Sequence, residues 1–203
     1  MEVKLDKQYP LDVDAARAWA LLTDLKATAS CMPGAEITEQ LSDTSYKGGV
    51  KVKVGPAVAQ FGGTVDVLEA VAAERKMVLR GKGADKGGSS ASMDLTAIIT
   101  ADPANPAHCV LNGQAAVIVN GKFAQFGGRM MVQVSDMLLA QFVENFRQTA
   151  LTLPTADGSV AASPGQASAA PAAAPVVARE INGLAIFWAL VKSWFGGLLG
   201  KKV

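Results

Sequence analysis

His108 and Cys109 stand side by side, the one place where this chain sets an imidazole next to a thiol. Such a pair would be nucleophilic chemistry, but consecutive residues of a strand point to opposite faces and cannot form a dyad. His108 is the only histidine, and Cys31 and Cys109 are the only cysteines, so no zinc or haem site with ordinary ligand spacing can be assembled. The acids Asp66, Asp85, Asp94 and Asp102 are scattered rather than paired, and read as solvent-facing. The segment GKGADKGG (81–88) carries glycines but follows no strand-to-helix phosphate-binding pattern, and a hairpin explains it better. The chain does not read as an enzyme.

What it offers instead is adaptable apolar surface. Met130, Met131 and Met137 fall on a late helical stripe, and Met77 and Met93 on strand-like segments. Flexible thioethers suit a wall that moulds itself to a ligand. Alternation and helical phase add Phe61, Leu79, Leu95, Val117, Phe126 and Val134 to the expected lining of an apolar cavity. A fully packed core that happens to use methionine is the rival reading.

A second apolar surface lies at the end of the chain. With about 100° per residue, Leu184, Phe187, Trp188, Leu190, Val191, Trp194, Phe195 and Leu198 share an arc of roughly 160°. Small or polar residues fill the facing arc, and Lys192, Lys201 and Lys202 supply local positive charge. Lys192 near the middle and three glycines argue against a spanning helix, so an interfacial membrane helix fits better. Spanning, or docking on a protein partner or on the chain's own body, are the alternatives.

Elements must position these surfaces. Residues 2–9 alternate as a first strand, and Asp12 or Asp14 can cap a short helix whose Ala16, Trp19, Ala20 and Thr23 recur at helical spacing. A second short helix spans 25–30 and stops at Pro33-Gly34. From Glu36 to Asn120 the pattern has period two, most clearly at Val50, Val52 and Val54, with further strands over 57–68, 76–83, 89–101 and 108–119. Ser42-Asp43, Gly55-Pro56, Gly87-Gly88 and 101–108 make the turns. Helical spacing returns from Phe126 to about Leu151. So long an antiparallel run must curl, and one long helix must plug it, which leaves a cavity on the concave face. The pentapeptide Ala59–Gly63 recurs as Ala124–Gly128, in different elements and without matching flanks, which reads as coincidence.

Half of the 203 residues are hydrophobic and 18% are charged, enough for one domain with a substantial core plus a tail. A net charge of +1 gives no general electrostatic reason to bind nucleic acid. Two dispersed cysteines without a CxxC read as reduced, buried thiols of a cytosolic protein, with a disulfide as the alternative. The N-terminus lacks the basic and apolar regions of a secretion signal. Residues 154–178, rich in Ala, Pro, Ser and Gly with Asp157 the only charge, read as a flexible linker. The expected organisation is a body over 1–153, that linker, and an amphipathic membrane-binding tail over 179–203.

Four stretches, AWALLTDLKATASCMPGAE (18–36), YKGGVKVKVGPAVAQFGGTVDV (46–67), GKGADKGGSSASMDL (81–95) and VNGKFAQFGGRMM (119–131), resemble the CoxG family of carbon monoxide dehydrogenase proteins. That family is a branch of the START-like (SRPBCC) helix-grip superfamily. The resemblance covers residues 1 to about 152, and its most specific parts are CMPGAE, VKVGP and GKFAQFGGR. It implies an α+β helix-grip fold, a curved antiparallel sheet wrapped around a long C-terminal helix. It further implies an accessory role, attaching a molybdenum hydroxylase of the CO dehydrogenase type to the cytoplasmic membrane. The cavity would take an apolar ligand, for such an enzyme a quinone (menaquinone or ubiquinone), with no covalently bound cofactor. The protein would then be cytoplasmic and peripheral on the inner face of the membrane, with that enzyme, membrane lipid and quinone as partners and no nucleic acid. A pure recruitment adaptor with a packed core, or a START-like cyclase or hydrolase, are the rival functions.

Overall fold

The structure is a computed structural model that describes residues 1–54 and 57–154. The turn at Gly55-Pro56, the linker beyond Pro154 and the tail lie outside the described residues. So do the tail residues Leu184, Phe187, Trp188, Val191, Lys192, Trp194, Phe195, Leu198, Lys201 and Lys202.

The order is strand β1 (Glu2–Leu11), helices α1 (Ala15–Thr23) and α2 (Leu25–Cys31), and six strands. These are β2 (Ala35–Gln40), β3 (Ser45–Val54), β4 (Ala57–Val71), β5 (Lys76–Ala84), β6 (Ser90–Ala101) and β7 (Cys109–Asn120). A 3-10 turn (Lys122–Phe126) leads into the long helix α3 (Gly128–Thr152). All seven strands form one antiparallel sheet in the order β1-β7-β6-β5-β4-β3-β2. Pro10 sits in β1, an edge strand, the kind of strand to which proline is confined in sheets.

Aspartates start both short helices. Asp14 Oδ1 accepts from the amides of Ala16 (3.1 Å) and Arg17 (2.9 Å), while its Oδ2 holds the Arg17 guanidinium. Asp24 ends α1 and caps α2, accepting from Ala27 N at 3.0 Å. Of the two expected caps, Asp14 takes the role; Asp12 instead pairs with Arg147 of α3 at 3.1 Å. The buried face of α1 is Ala15, Arg17, Ala18, Leu21 and Leu22. The face expected from Ala16, Trp19, Ala20 and Thr23 is a correction: Ala16, Ala20 and Thr23 are exposed and Trp19 only partly covered. The adjacent leucines carry more apolar area than the alanines, so they win the core side.

The long helix begins later than its apolar stripe. Phe126 belongs to the 3-10 turn, because Gly127 takes φ 78°, a left-handed value that breaks the helical path before α3 starts. Only Phe146 and Ala150 of α3 are buried, both near its C-terminal end. There they close a main core with Leu11, Val13, Leu21, Leu22, Ile99 and Leu111. A smaller cluster of Ala59, Val119 and Phe123 forms elsewhere on the sheet, with Phe61, Phe126, Met130 and Val134 packed on it. Cys31 and Cys109 are free thiols, both buried.

An apolar cavity as the candidate functional site

Reading the inward-facing residues along each strand shows why a void separates the two clusters. On β7 they run Leu111, Gly113, Ala115, Val117, Val119: large in the main core, minimal in the middle, larger again at the second cluster. On β5, Met77 and Leu79 are buried in the main core and Gly81 and Gly83 follow on the same face. Neighbouring strands set Gly48 opposite Gly63, and Gly63 opposite Gly83. At Gly113 an added side chain would enter open space, whereas at Gly48 and Gly63 an added Cβ would strike the neighbouring strand, at Glu36 O and Lys82 O, so close strand approach demands glycine there.

The result is two adjoining lobes. The outer lobe, about 350 Å³, is floored by the glycines of β3, β4 and β5 and walled by Phe61, Ala91, Met93 and Val117. The inner lobe, about 290 Å³, lies among β1, β5, β6, β7 and all three helices, which contribute Leu22, Leu25, Thr28, Ala29, Leu139 and Phe142. Ala29, Met32, Ile37, Val65 and Met93 line both, so the lobes meet there. Their volumes are in the range of small-molecule sites, and the walls are mostly apolar with a few polar groups, as in such sites.

Of the expected lining residues, Phe61, Met93 and Val117 line the outer lobe, and Leu79, Met93 and Leu95 the inner one. The other six line neither lobe, among them Met131, which packs on the second cluster. Met77 is buried in the main core. Phe126, Met130 and Val134 pack on the second cluster, where the Phe123 ring lies 5.6 Å from Phe61 and 6.0 Å from Phe126. Met137 is 52% exposed, two residues and so about 200° around the helix from the Leu139 that does reach the lobe. Both copies of the repeated pentapeptide thus send their phenylalanine to the same cluster.

Sequence reasoning missed the roof and the floor. The roof is α2 with Met32, whose Ala29 and Met32 are spaced one helical turn apart. The floor is the run of inward glycines, whose signal is period two: Gly81 and Gly83 continue the phase of Met77 and Leu79, and Gly113 that of Leu111 and Ala115.

Three polar side chains in the inner lobe belong to Lys7, Tyr9 and Thr28. Thr28 Oγ1 donates to Leu21 O at 2.6 Å and is thereby engaged. Lys7 Nζ lies 2.9 Å from Asp136 Oδ1, an ion pair that ties edge strand β1 to α3. The Asp136 carboxylate raises the lysine above its ordinary pKa, and burial raises the Tyr9 phenol above its own.

Groups with reactive potential lie elsewhere. His108 is exposed in the loop before β7, its amide bonded to Asn105 O at 2.9 Å. Burial pushes the adjacent Cys109 thiol up to about 11, far from a thiolate at neutral pH. Asp66 accepts from Ser45, Asp85 pairs with Lys122, and Asp94 with Arg80. Asp85, whose side chain is 7% exposed, is the correction to the expected solvent-facing placement; Asp94 faces solvent as expected, with Arg80 beside it. Among the described residues no three potential metal ligands cluster, and no helix is long and apolar enough to cross a membrane.

A curved antiparallel sheet gripping a C-terminal helix over an apolar cavity is the START-like helix-grip architecture. A conserved protein from Geobacillus kaustophilus has the same fold at TM-score 0.66 and 18% identity, over 73% of this chain and 95% of that one. The Zhui aromatase/cyclase from Streptomyces sp. R1128 matches at TM-score 0.55 and 14% identity, covering 79% of this chain and 100% of its own. A START superfamily protein from Mycobacterium smegmatis matches at 0.51 and 14%, over 72% and 96%. No curated protein sequence matches the chain. The model of the carbon monoxide dehydrogenase CoxG family matches residues 9–151, and the chain belongs to that family.

Proposed function

We propose that this protein is a non-enzymatic accessory protein that carries an isoprenoid quinone, or a similar apolar lipid, between the cytoplasmic membrane and a molybdenum hydroxylase of the CO dehydrogenase type. The observation that carries the reading is the pair of adjoining apolar lobes that share Ala29, Met32, Ile37, Val65 and Met93. Family membership supplies the context of CO dehydrogenase and an accessory role. In the mechanism, the tail over 179–203 rests on the inner face of the membrane and the linker gives the body reach. Apolar ligand passes from bilayer to cavity because both solvents are similar, so the transfer releases little hydrophobic free energy in either direction. That near-balance suits a carrier, which must unload as well as load.

A pure recruitment adaptor needs no internal void, and the cavity argues against it. The cyclase or hydrolase reading draws on the fold shared with an aromatase/cyclase. The polar residues that line the lobes, among them Glu36, Lys82 and Ser92 in one and Lys7, Tyr9 and Thr28 in the other, are outnumbered by leucine, methionine, glycine and alanine, which favours apolar binding over catalysis.

The test is native mass spectrometry with organic extraction of the full chain, purified without detergent from a quinone-producing host. About one retained quinone per chain supports the carrier. Protein that never retains quinone, even when quinone is added back, removes it.

A further inference from the structure

The body is electrically polarised along its strands. In register, Gly49, Gly62, Ala84, Ser90 and Asn120 form one row across β3, β4, β5, β6 and β7. Beyond that row lie the joined ends of β3 and β4, the turn between β5 and β6, and the 3-10 turn with the start of α3. Among the described residues there, the basic side chains are Lys51, Lys53, Lys86, Lys122 and Arg129, and the one acid is Asp85. Asp85 is turned inward, accepting from Ser89 N at 2.7 Å and pairing with Lys122 at 2.9 Å. Lys51, Lys53, Lys86 and Arg129 are exposed and make no ion pair among the described residues. The loops at the other end of the strands, 12–14, 41–44, 72–75 and 102–108, carry the reverse: Asp12, Asp14, Asp43, Glu74 and Asp102 against Arg75. A net charge of +1 conceals this arrangement.

We propose that this basic end of the body docks on an anionic lipid surface, and that apolar ligand is exchanged through it. The proposal rests on the carrier reading and adds to it which part of the body meets the bilayer and which lobe the ligand reaches first.

Charge at one end acts there alone. Strand β7 has 12 residues, so at about 3.3 Å per residue roughly 35 Å separates the two ends, several times the Debye length of about 8 Å. The distant acids therefore do not cancel the attraction of the lysines for anionic head groups. Lipid is favoured over an acidic protein by what stands among those lysines. Val58 is paired with Lys53 and is 49% exposed, on the face opposite to Ala59 and Phe61, which pack in the second cluster. An aliphatic side chain amid ammonium groups matches a surface that is anionic at the head groups and apolar just beneath. The outer lobe lies at this same end, lined by Gly49 and Gly62 of the row and by Val50 and Phe61 beyond it. The inner lobe reaches the main core at Leu22, Leu25 and Leu111, toward the acidic end. Ligand leaving a bilayer docked here meets the outer lobe first and passes the shared residues Met32 and Met93 to the inner one.

The test floats the full chain with vesicles of phosphatidylcholine, alone or mixed with phosphatidylglycerol. Wild type should bind the mixed vesicles more tightly, and the difference should shrink as salt rises. Lys51→Gln, Lys53→Gln and Lys86→Gln made together should weaken binding to the mixed vesicles about a hundredfold, at about fivefold per lysine, and leave binding to the uncharged ones as it was. The control triple, Lys47→Gln, Lys76→Gln and Arg80→Gln, removes the same charge from ion-paired sites elsewhere on the sheet and should lose a few-fold at most. Thermal unfolding checks that both triples keep the fold. Equal losses in the two triples would mean that net charge alone attracts the protein, and the docking end would be wrong. No loss in the first triple would leave the basic end to an acidic protein surface or to nothing, and would equally overturn it. Quinone extraction from wild type separates the two readings: retained quinone beside either of those results leaves the carrier standing without this docking end, and absent quinone removes the carrier whatever the vesicles show.

Discussion

Lys7 of β1 stands directly across from Gly113 of β7, so the one lysine that lines the inner lobe has a neighbour without a side chain. That vacancy is part of what keeps the lobe open. It also makes the cavity testable by filling, because a residue added there meets no existing atom within 4 Å of its Cβ.

Gly113→Leu, or Ala115→Phe on the same face, should occupy the inner lobe. Neither should unfold the protein; replacing a strand glycine adds β propensity and buries apolar area. Apolar ligand affinity should fall by about tenfold or more, measured by calorimetry beside a thermal melt that is unchanged or raised. Unaltered affinity would mean that ligand binds elsewhere.

Phe146 is fully buried where α3 closes the main core, with Phe142 at 5.6 Å. Phe146→Ala should cost about 3–5 kcal/mol in denaturant unfolding. Met137→Ala, at a half-exposed site on the same helix, should change stability by less than about 0.5 kcal/mol. Equal losses at both sites would contradict the packing of α3.

Asp14 caps α1 and holds Arg17. Burial works against its charge, but the Arg17 amide and guanidinium and the Ala16 amide outweigh that and lower its carboxyl below the usual range. Asp14→Ala should therefore cost about 1–2 kcal/mol at neutral pH, read from urea unfolding.

The Glu144 carboxyl, held by Arg147 and Gln148, titrates at about 2 rather than 4.5. The unfolded chain takes up this proton first, so the stabilisation is complete above pH 4.5 and is lost as pH falls toward 2. Glu144→Gln should flatten the acid side of the stability profile in that window. A profile identical to wild type would sink the assignment.

Most of the framework was legible in the sequence because it rests on local patterns. Period two locates the strands, Asp14 marks a helix start, and the chain order leaves α3 as the element that fills the sheet. What failed depends on competition between faces. Leu21 and Leu22 override the alanine stripe of α1, and Gly127 detaches Phe126 from the helix whose apolar stripe it starts. The cavity itself was half legible. Large residues with the right phase, such as Met93 and Leu95, line it, but Met77 shares their alternation and lies deeper, in packed core. Alternation gives the face of a strand and not the height along it. The glycines beside the void drew no reading as cavity residues, Gly81 and Gly83 falling in a segment taken for a hairpin, because a missing side chain leaves no hydrophobic signal. The Lys7–Asp136 pair joins residues far apart in sequence, and nothing local announces it.

The carrier account stands on movement of quinone, so its most direct test is transfer between membranes. Dense donor vesicles carrying menaquinone are mixed with light, quinone-free acceptors and a trace of the full chain, then separated and extracted. The account predicts that wild type speeds the appearance of menaquinone in the acceptors well beyond the protein-free rate, and that Gly113→Leu abolishes the gain while still binding the vesicles. Transfer no faster than without protein, or equally fast with the filled cavity, would contradict it.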